Sequence, residues 1–140
     1  MTKILCFNAN EERIPFIEEW SQKNNIKVDY VKDFLTLDTV HMLKGYDGVT
    51  VAHVGDFDSR LYPILKEMGI KQVAQRTAGY EIFDLEEASK HDIIITNVPS
   101  YSPESIAEYS VMLGLQLVRK SHQLDEKVAR QDFTWTQDIR

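Results

Sequence analysis

The chain has 140 residues, 43% of them hydrophobic and 27% charged, with 16 Lys and Arg against 22 Asp and Glu for a net charge of -6. A single cysteine, Cys6, excludes an internal disulfide framework and a four-thiolate zinc site, and the acidic balance argues against a nucleic-acid-binding surface. The opening apolar run is too short for a signal peptide or a membrane span, so a cytoplasmic protein that folds without metal is expected.

Short apolar or β-branched runs recur at residues 4–7, 26–31, 48–51, 72–74 and 93–96. They suit strands covered on both faces, as in a parallel sheet. Between them, Ile14, Ile17 and Trp20 fall at helical spacing behind Pro15, and Val40 and Leu43 mark a second, short helix. Leu61, Ile64, Leu65 and Met68 mark a third, with Asp58 and Ser59 as cap candidates and Gly69 as its stop. Residues 84–90 read as a fourth. Strand and helix alternating in this way predict an α/β fold: a flavodoxin-like, doubly wound parallel sheet of about five strands. Ligands of such sheets gather at the carboxyl ends of the strands, which directs attention to the loops at 8–12, 52–56, 75–80 and 97–101.

After Tyr101 the texture changes. Ser102-Pro103-Glu104 offers a hydroxyl cap, a proline for the first helical position and an acid facing the helix dipole. One long crossover helix is expected from there to about residue 130. Its first half is apolar nearly all round, from Ile106 to Val118, and such a helix requires cover on every side. The chain therefore divides into residues 1–101 and 102–140, and the second part points to a further domain or a partner subunit.

The first loop, Asn8-Ala9-Asn10-Glu11-Glu12, has no glycine and cannot form a dinucleotide or phosphate-cradling turn; Walker A and H-E-x-x-H patterns are absent from the whole chain. Arg76-Thr77-Ala78-Gly79 is more suggestive, because small residues after a buried strand let successive N–H groups form an anion nest suited to a carboxylate. The alternative is a plain strand-to-helix turn that needs glycine for its backbone angles. His41, His53, His91 and His122 form no i, i+4 pair, so no metal site is expected. His53, at the end of the third strand, is placed to face a ligand, although a loop histidine is more often simply solvated. His122 reads as surface and Cys6 as core. Tyr101, between Pro99 and Pro103, sits on a stiff segment where its phenol either donates a hydrogen bond or packs under the following helix.

Arg76-x-Ala78-Gly79 followed by Asn97-Val98-Pro99-Ser100-Tyr101-Ser102-Pro103 and Ile106-Ala107-Glu108 resembles the NAD-dependent D-2-hydroxyacid dehydrogenases, most closely their D-lactate dehydrogenase branch. The resemblance runs along the whole chain, through Glu18-Glu19-Trp20, Asp47-Gly48-Val49 and residues 124–129. It implies the N-terminal part of an enzyme that reduces a pyruvate-like 2-oxo acid to the D-2-hydroxy acid with NADH. The N–H groups of Ala78 and Gly79 would hold the substrate carboxylate, with Tyr101 beside the substrate and Ile106 at the nicotinamide end of NAD. Ala52 and His53 would line the pocket for the substrate side chain, and relatives often place a bulky aromatic at the first of these. The small Ala52 implies tolerance of 2-oxo acids larger than pyruvate. A homodimer is implied for the full-length parent, with no nucleic acid and no membrane among its partners.

Two departures from the family pattern stand out. Gly79 is followed by Tyr80-Glu81-Ile82-Phe83 where relatives continue Gly-x-Asp-Asn. The chain also stops at Arg140, before the family's Gly-rich dinucleotide turn, its substrate-binding arginine and its acid–histidine pair. No catalytic residue is therefore expected within these 140 residues, and His122 does not substitute for one. The competing expectation is a free-standing flavodoxin-like binding or dimerisation module. A phospho-receiver fits poorly, because the third strand runs into Ala52-His53 where such a protein needs an aspartate.

Overall fold

Strands β1 (Lys3–Cys6), β2 (Lys27–Tyr30), β3 (Gly48–Val51), β4 (Gln72–Gln75) and β5 (Ile94–Thr96) pair in parallel throughout, in the order β2-β1-β3-β4-β5. This is the doubly wound order expected from the alternation, with the connections reversing direction between β1 and β3. The structure, a computed structural model, describes residues 2–135. It divides into a unit that ends at Pro99 and a second that begins at Ser100.

In the first unit, alternate strand residues Leu5, Val49, Val51 and Val73 enter one apolar cluster, as the two-residue period of a strand requires. They meet Leu61, Tyr62 and Leu65 of α2 (Leu61–Glu67), Val40 and Leu43 of a single 3₁₀ turn, and Ala88 of α3 (Leu85–Lys90). Helix α1 (Ile14–Asn24) contributes nothing to this cluster: Ile14 and Ile17 are half-buried, while Phe16 and Trp20 are exposed. Cover on both faces, expected from the apolar strands, is thus only partial among the described residues. Asp84, read from the sequence as the first residue of the fourth helix, instead caps α3 and accepts the Glu87 N–H at 2.9 Å. Gly69 ends α2 at φ +81°, a left-handed conformation that glycine adopts without a Cβ clash. Asp58, by contrast, does not cap α2. It takes the Arg60 N–H at 2.9 Å and the Arg60 guanidinium at 2.6 Å, closing a turn ahead of the helix.

In the second unit, α4 (Pro103–Val118) starts with the expected proline and with Glu104 in its first turn. The Ser102 hydroxyl does not cap it, because Ser102 itself turns left-handed at φ +43°. The single long helix expected to about residue 130 is in fact two. Lys120 adopts φ +50°, its N–H closes on Leu117 O at 3.2 Å, and α5 (Ser121–Ala129) begins afresh. No residue of α4 or α5 is buried, and Ala107, Val111, Met112 and Leu115 line an open apolar groove of ≈ 670 Å³. No helix among the described residues is long and apolar enough to cross a membrane.

Tyr62 is wholly buried and its hydroxyl has no hydrogen-bond partner among the described residues. Burial, reinforced by the Asp84 carboxylate, pushes its pKa up from 10.0 to about 12. Above the ordinary value the unfolded chain releases this proton while the folded chain keeps it, so stability falls as pH rises towards the folded value. Tyr62→Phe should leave stability near neutral pH within about 1 kcal/mol and reduce the loss seen at about pH 11. Urea unfolding of both proteins at the two pH values checks this.

Candidate functional site

Parallel pairing brings the carboxyl ends of the strands to one edge, so Asn8 after β1, Ala52 and His53 after β3, residues 76–79 after β4 and Asn97 after β5 lie along it. Arg76 crosses the reversal point between β1 and β3. Its Nη2 donates to Phe7 O at 2.7 Å and Asn8 O at 3.1 Å, and its Nη1 to the Thr50 hydroxyl at 3.2 Å. Its own main-chain N–H donates to Val51 O at 2.8 Å. Burial presses the Arg76 pKa below its ordinary value, and it pushes the neighbouring Cys6 thiol up, with Arg76 opposing that rise. The crevice in which doubly wound proteins commonly seat a nucleotide is thus crossed by the chain's own cation, and the open positions lie beyond it, at β3 and β4.

The turn after β4 is organised from behind. Thr77 O accepts the Val98 N–H at 3.0 Å, Ala78 O accepts Asn97 Nδ2 at 2.7 Å, and Gly79 O accepts the Thr77 hydroxyl at 3.1 Å. In a trans peptide the N–H points opposite to the carbonyl of the preceding residue. Three anchored carbonyls therefore turn the N–H groups of Ala78, Gly79 and Tyr80 the other way. Among the described residues nothing accepts from Ala78 or Gly79, and both are exposed. The Tyr80 N–H donates to the Glu81 carboxylate at 2.9 Å, so one donor of the row already holds a carboxylate oxygen. Gly79 does not have the left-handed φ of Gly45, Gly55 and Gly69. Its backbone angles do not demand glycine, and a Cβ there would stand 3.1 Å from Glu81 Oε2. The turn has the donors of an anion nest.

Ala52 is buried, and its carbonyl accepts Asn8 Nδ2 at 2.8 Å. His53 is half-buried rather than freely solvated. Phe34 and Phe57 meet its ring edge-on at 5.6 and 5.4 Å, and its Nε2 lies 3.2 Å from Asp56 O. A carbonyl can only accept, so Nε2 carries the proton, and the buried Nδ1 is an acceptor without a partner. Sequence reasoning passed over Gln75, the one buried polar residue among those described. Its Oε1 accepts the His53 N–H at 3.1 Å, while its Nε2 donates to His53 O at 3.1 Å and to the Thr77 hydroxyl at 2.8 Å. The fold thus gathers Ala52, His53, Ala78 and Gly79 on the first unit. Tyr101 and Ile106 belong to the second, Tyr101 ahead of α4 and Ile106 in its first turns, both exposed. No group of three or more His, Cys, Asp or Glu among the described residues is arranged to hold a metal ion.

Residues 4–136 match the sequence model of the D-isomer specific 2-hydroxyacid dehydrogenase catalytic domain, and the chain belongs to that family. In particular, it is 50% identical over 139 residues to a D-lactate dehydrogenase of Staphylococcus epidermidis, covering 99% of this chain and 42% of that protein. A D-lactate dehydrogenase of Treponema pallidum superposes with a TM-score of 0.82 at 34% identity, over 99% of this chain and 42% of the other. The D-isomer specific 2-hydroxyacid dehydrogenase of Lactobacillus delbrueckii ssp. bulgaricus, solved in complex with NAD, gives 0.75 at 30% identity over 99% and 43%. The chain spans 42% of the length of the curated relatives it matches.

Replacing Arg76 strips three acceptors at once. Arg76→Met should destabilise the protein by about 2–4 kcal/mol, and Arg76→Lys by less, since an ammonium reaches fewer of them. Urea denaturation followed by circular dichroism measures both.

Proposed function

We propose that this chain is the N-terminal, substrate-binding part of a dehydrogenase that reduces a pyruvate-like 2-oxo acid to the D-2-hydroxy acid. Residues 1–101 form the substrate domain in this reading, and 102–140 lead towards a dinucleotide-binding domain. The observation that carries it is the row of outward N–H groups at Ala78 and Gly79, exposed and without an acceptor among the described residues. Two adjacent amides match the two oxygens of a carboxylate and fix its orientation, so that the 2-oxo carbon projects in a set direction. His53 and Ala52 border the substrate side chain in this reading.

NADH, when bound, supplies the hydride. Ile106 would meet its nicotinamide end and Tyr101 the substrate, and the family relative solved with NAD supports that cofactor. None of the residues gathered on the first unit is assigned the proton transfer, since the His53 Nε2 proton is directed at Asp56 O. A homodimer is supported by the apolar surface of α4, which finds no cover within its own unit. The acidic composition and the lack of disulfide chemistry support the cytoplasm. The competing reading, a binding module without catalysis, predicts no response to carboxylates.

Titrating ¹⁵N-labelled protein with pyruvate should move the Ala78 and Gly79 amide resonances first. Ala78→Pro removes one donor and should weaken binding by roughly tenfold, the equivalent of one charge-assisted hydrogen bond. The 140-residue chain alone should not oxidise NADH with pyruvate, and measurable turnover would overturn the division of labour proposed. Because Ala52 is small, a longer 2-oxo acid such as 2-oxoisocaproate should bind at least as tightly as pyruvate; weaker binding would remove the size argument.

A further inference from the structure

We infer that Gln75 is a positioning residue that couples the two halves of this site, the His53 loop and the carboxylate turn. The inference rests on the carboxylate-binding reading above. Gln75 lies under both halves, only 4% exposed, and three hydrogen bonds leave its carboxamide. Two of them grip the His53 backbone on both sides, N–H and carbonyl, and these would be left unpaired in a buried setting by an apolar residue.

The third bond runs the other way along the edge. Gln75 Nε2 donates to the Thr77 hydroxyl at 2.8 Å, which leaves that hydroxyl's proton for Gly79 O at 3.1 Å. The sense of this relay is fixed, because an amide nitrogen can only donate. Holding Gly79 O inward turns the Tyr80 N–H outward beside those of Ala78 and Gly79. Gln75 thereby sets the third donor of the row and ties its position to His53. The chemistry demands both a donor pair and an acceptor in one short side chain: a carboxylate at this place would oppose the His53 carbonyl and could not donate to Thr77.

The test uses three variants of the 140-residue protein, each titrated with pyruvate while its amide resonances are followed. Gln75→Glu should weaken pyruvate binding about tenfold or more at neutral pH and move the amides of His53 and residues 77–80 together. On mild acidification the introduced carboxyl takes up a proton, as burial favours, and regains one donor. Affinity relative to wild type at the same pH should then recover in part, whereas Gln75→Leu stays weak throughout. Thr77→Val, at a half-buried position, interrupts only the relay. It should weaken binding and shift residues 79 and 80 while leaving His53 in place, which keeps the test decisive if a Gln75 variant fails to fold in a thermal melt. Gln75 variants that bind pyruvate like wild type, or that leave residues 77–80 unmoved, would overturn the coupling. A wild-type protein whose Ala78 and Gly79 amides ignore pyruvate would instead remove the carboxylate reading, and the ligand-free shifts in Gln75→Glu would still decide whether the two loops are joined.

Discussion

Arg76 leaves the end of β4, crosses to the loop after β1 and spreads its guanidinium over Phe7 O, Asn8 O and the Thr50 hydroxyl. Taking this cation out of water costs several kcal/mol, which the three bonds and the carbonyl dipoles offset. What remains is chiefly geometric. The ends of β1, β3 and β4 are held to a common centre, and the reversal point of the sheet is spanned by protein. Every other feature of the edge is placed relative to that centre: Asn8 reaches Ala52 on one side, and the turn at residues 77–80 starts immediately after Arg76 on the other.

The turn itself shows how a binding surface is made from backbone alone. No charged side chain is needed to create its positive character. Carbonyls are tied down by Val98, Asn97 and Thr77, and their partner amides are presented as a consequence. The anchors come from the residues that follow β5 and from within the turn, so the site depends on the sheet having been assembled first. Glu81, which takes the Tyr80 N–H, demonstrates the preference within the chain. The turn keeps its donors through Thr77 and Asn97.

Much of this architecture was legible in the sequence, and the rest was hidden for identifiable reasons. Strand runs of three or four residues survive as short apolar islands, and β3 falls where its pattern places it. Gly69 acts through local chemistry that its neighbours cannot override. The break at Lys120 is different: a lysine in left-handed conformation looks like any solvated helical residue, and no glycine announces it. Ser102 failed as a cap for the same reason, its backbone having left the region in which the hydroxyl can reach back. Within the candidate site, Ala78 and Gly79 were visible as small residues, but glycine for backbone angles was the favoured explanation until the angle itself removed the need for it. Gln75 and Arg76 were the hardest. Polar residues at a strand end read as solvent-facing, and only tertiary neighbours reveal that one is buried and the other spans the sheet.

The Cys6 side chain, a neighbour of Arg76, has a consequence for how the molecule can be watched. It is the sole thiol of the chain, is fully shielded in β1, and burial holds its pKa above the ordinary value. A thiol in that state reacts only after the strand has opened. Alkylation of the native protein therefore acts as a clock on the excursions of β1, an interior strand paired on both sides by β2 and β3. The chain carries its own reporter of how often an interior strand of its sheet comes apart.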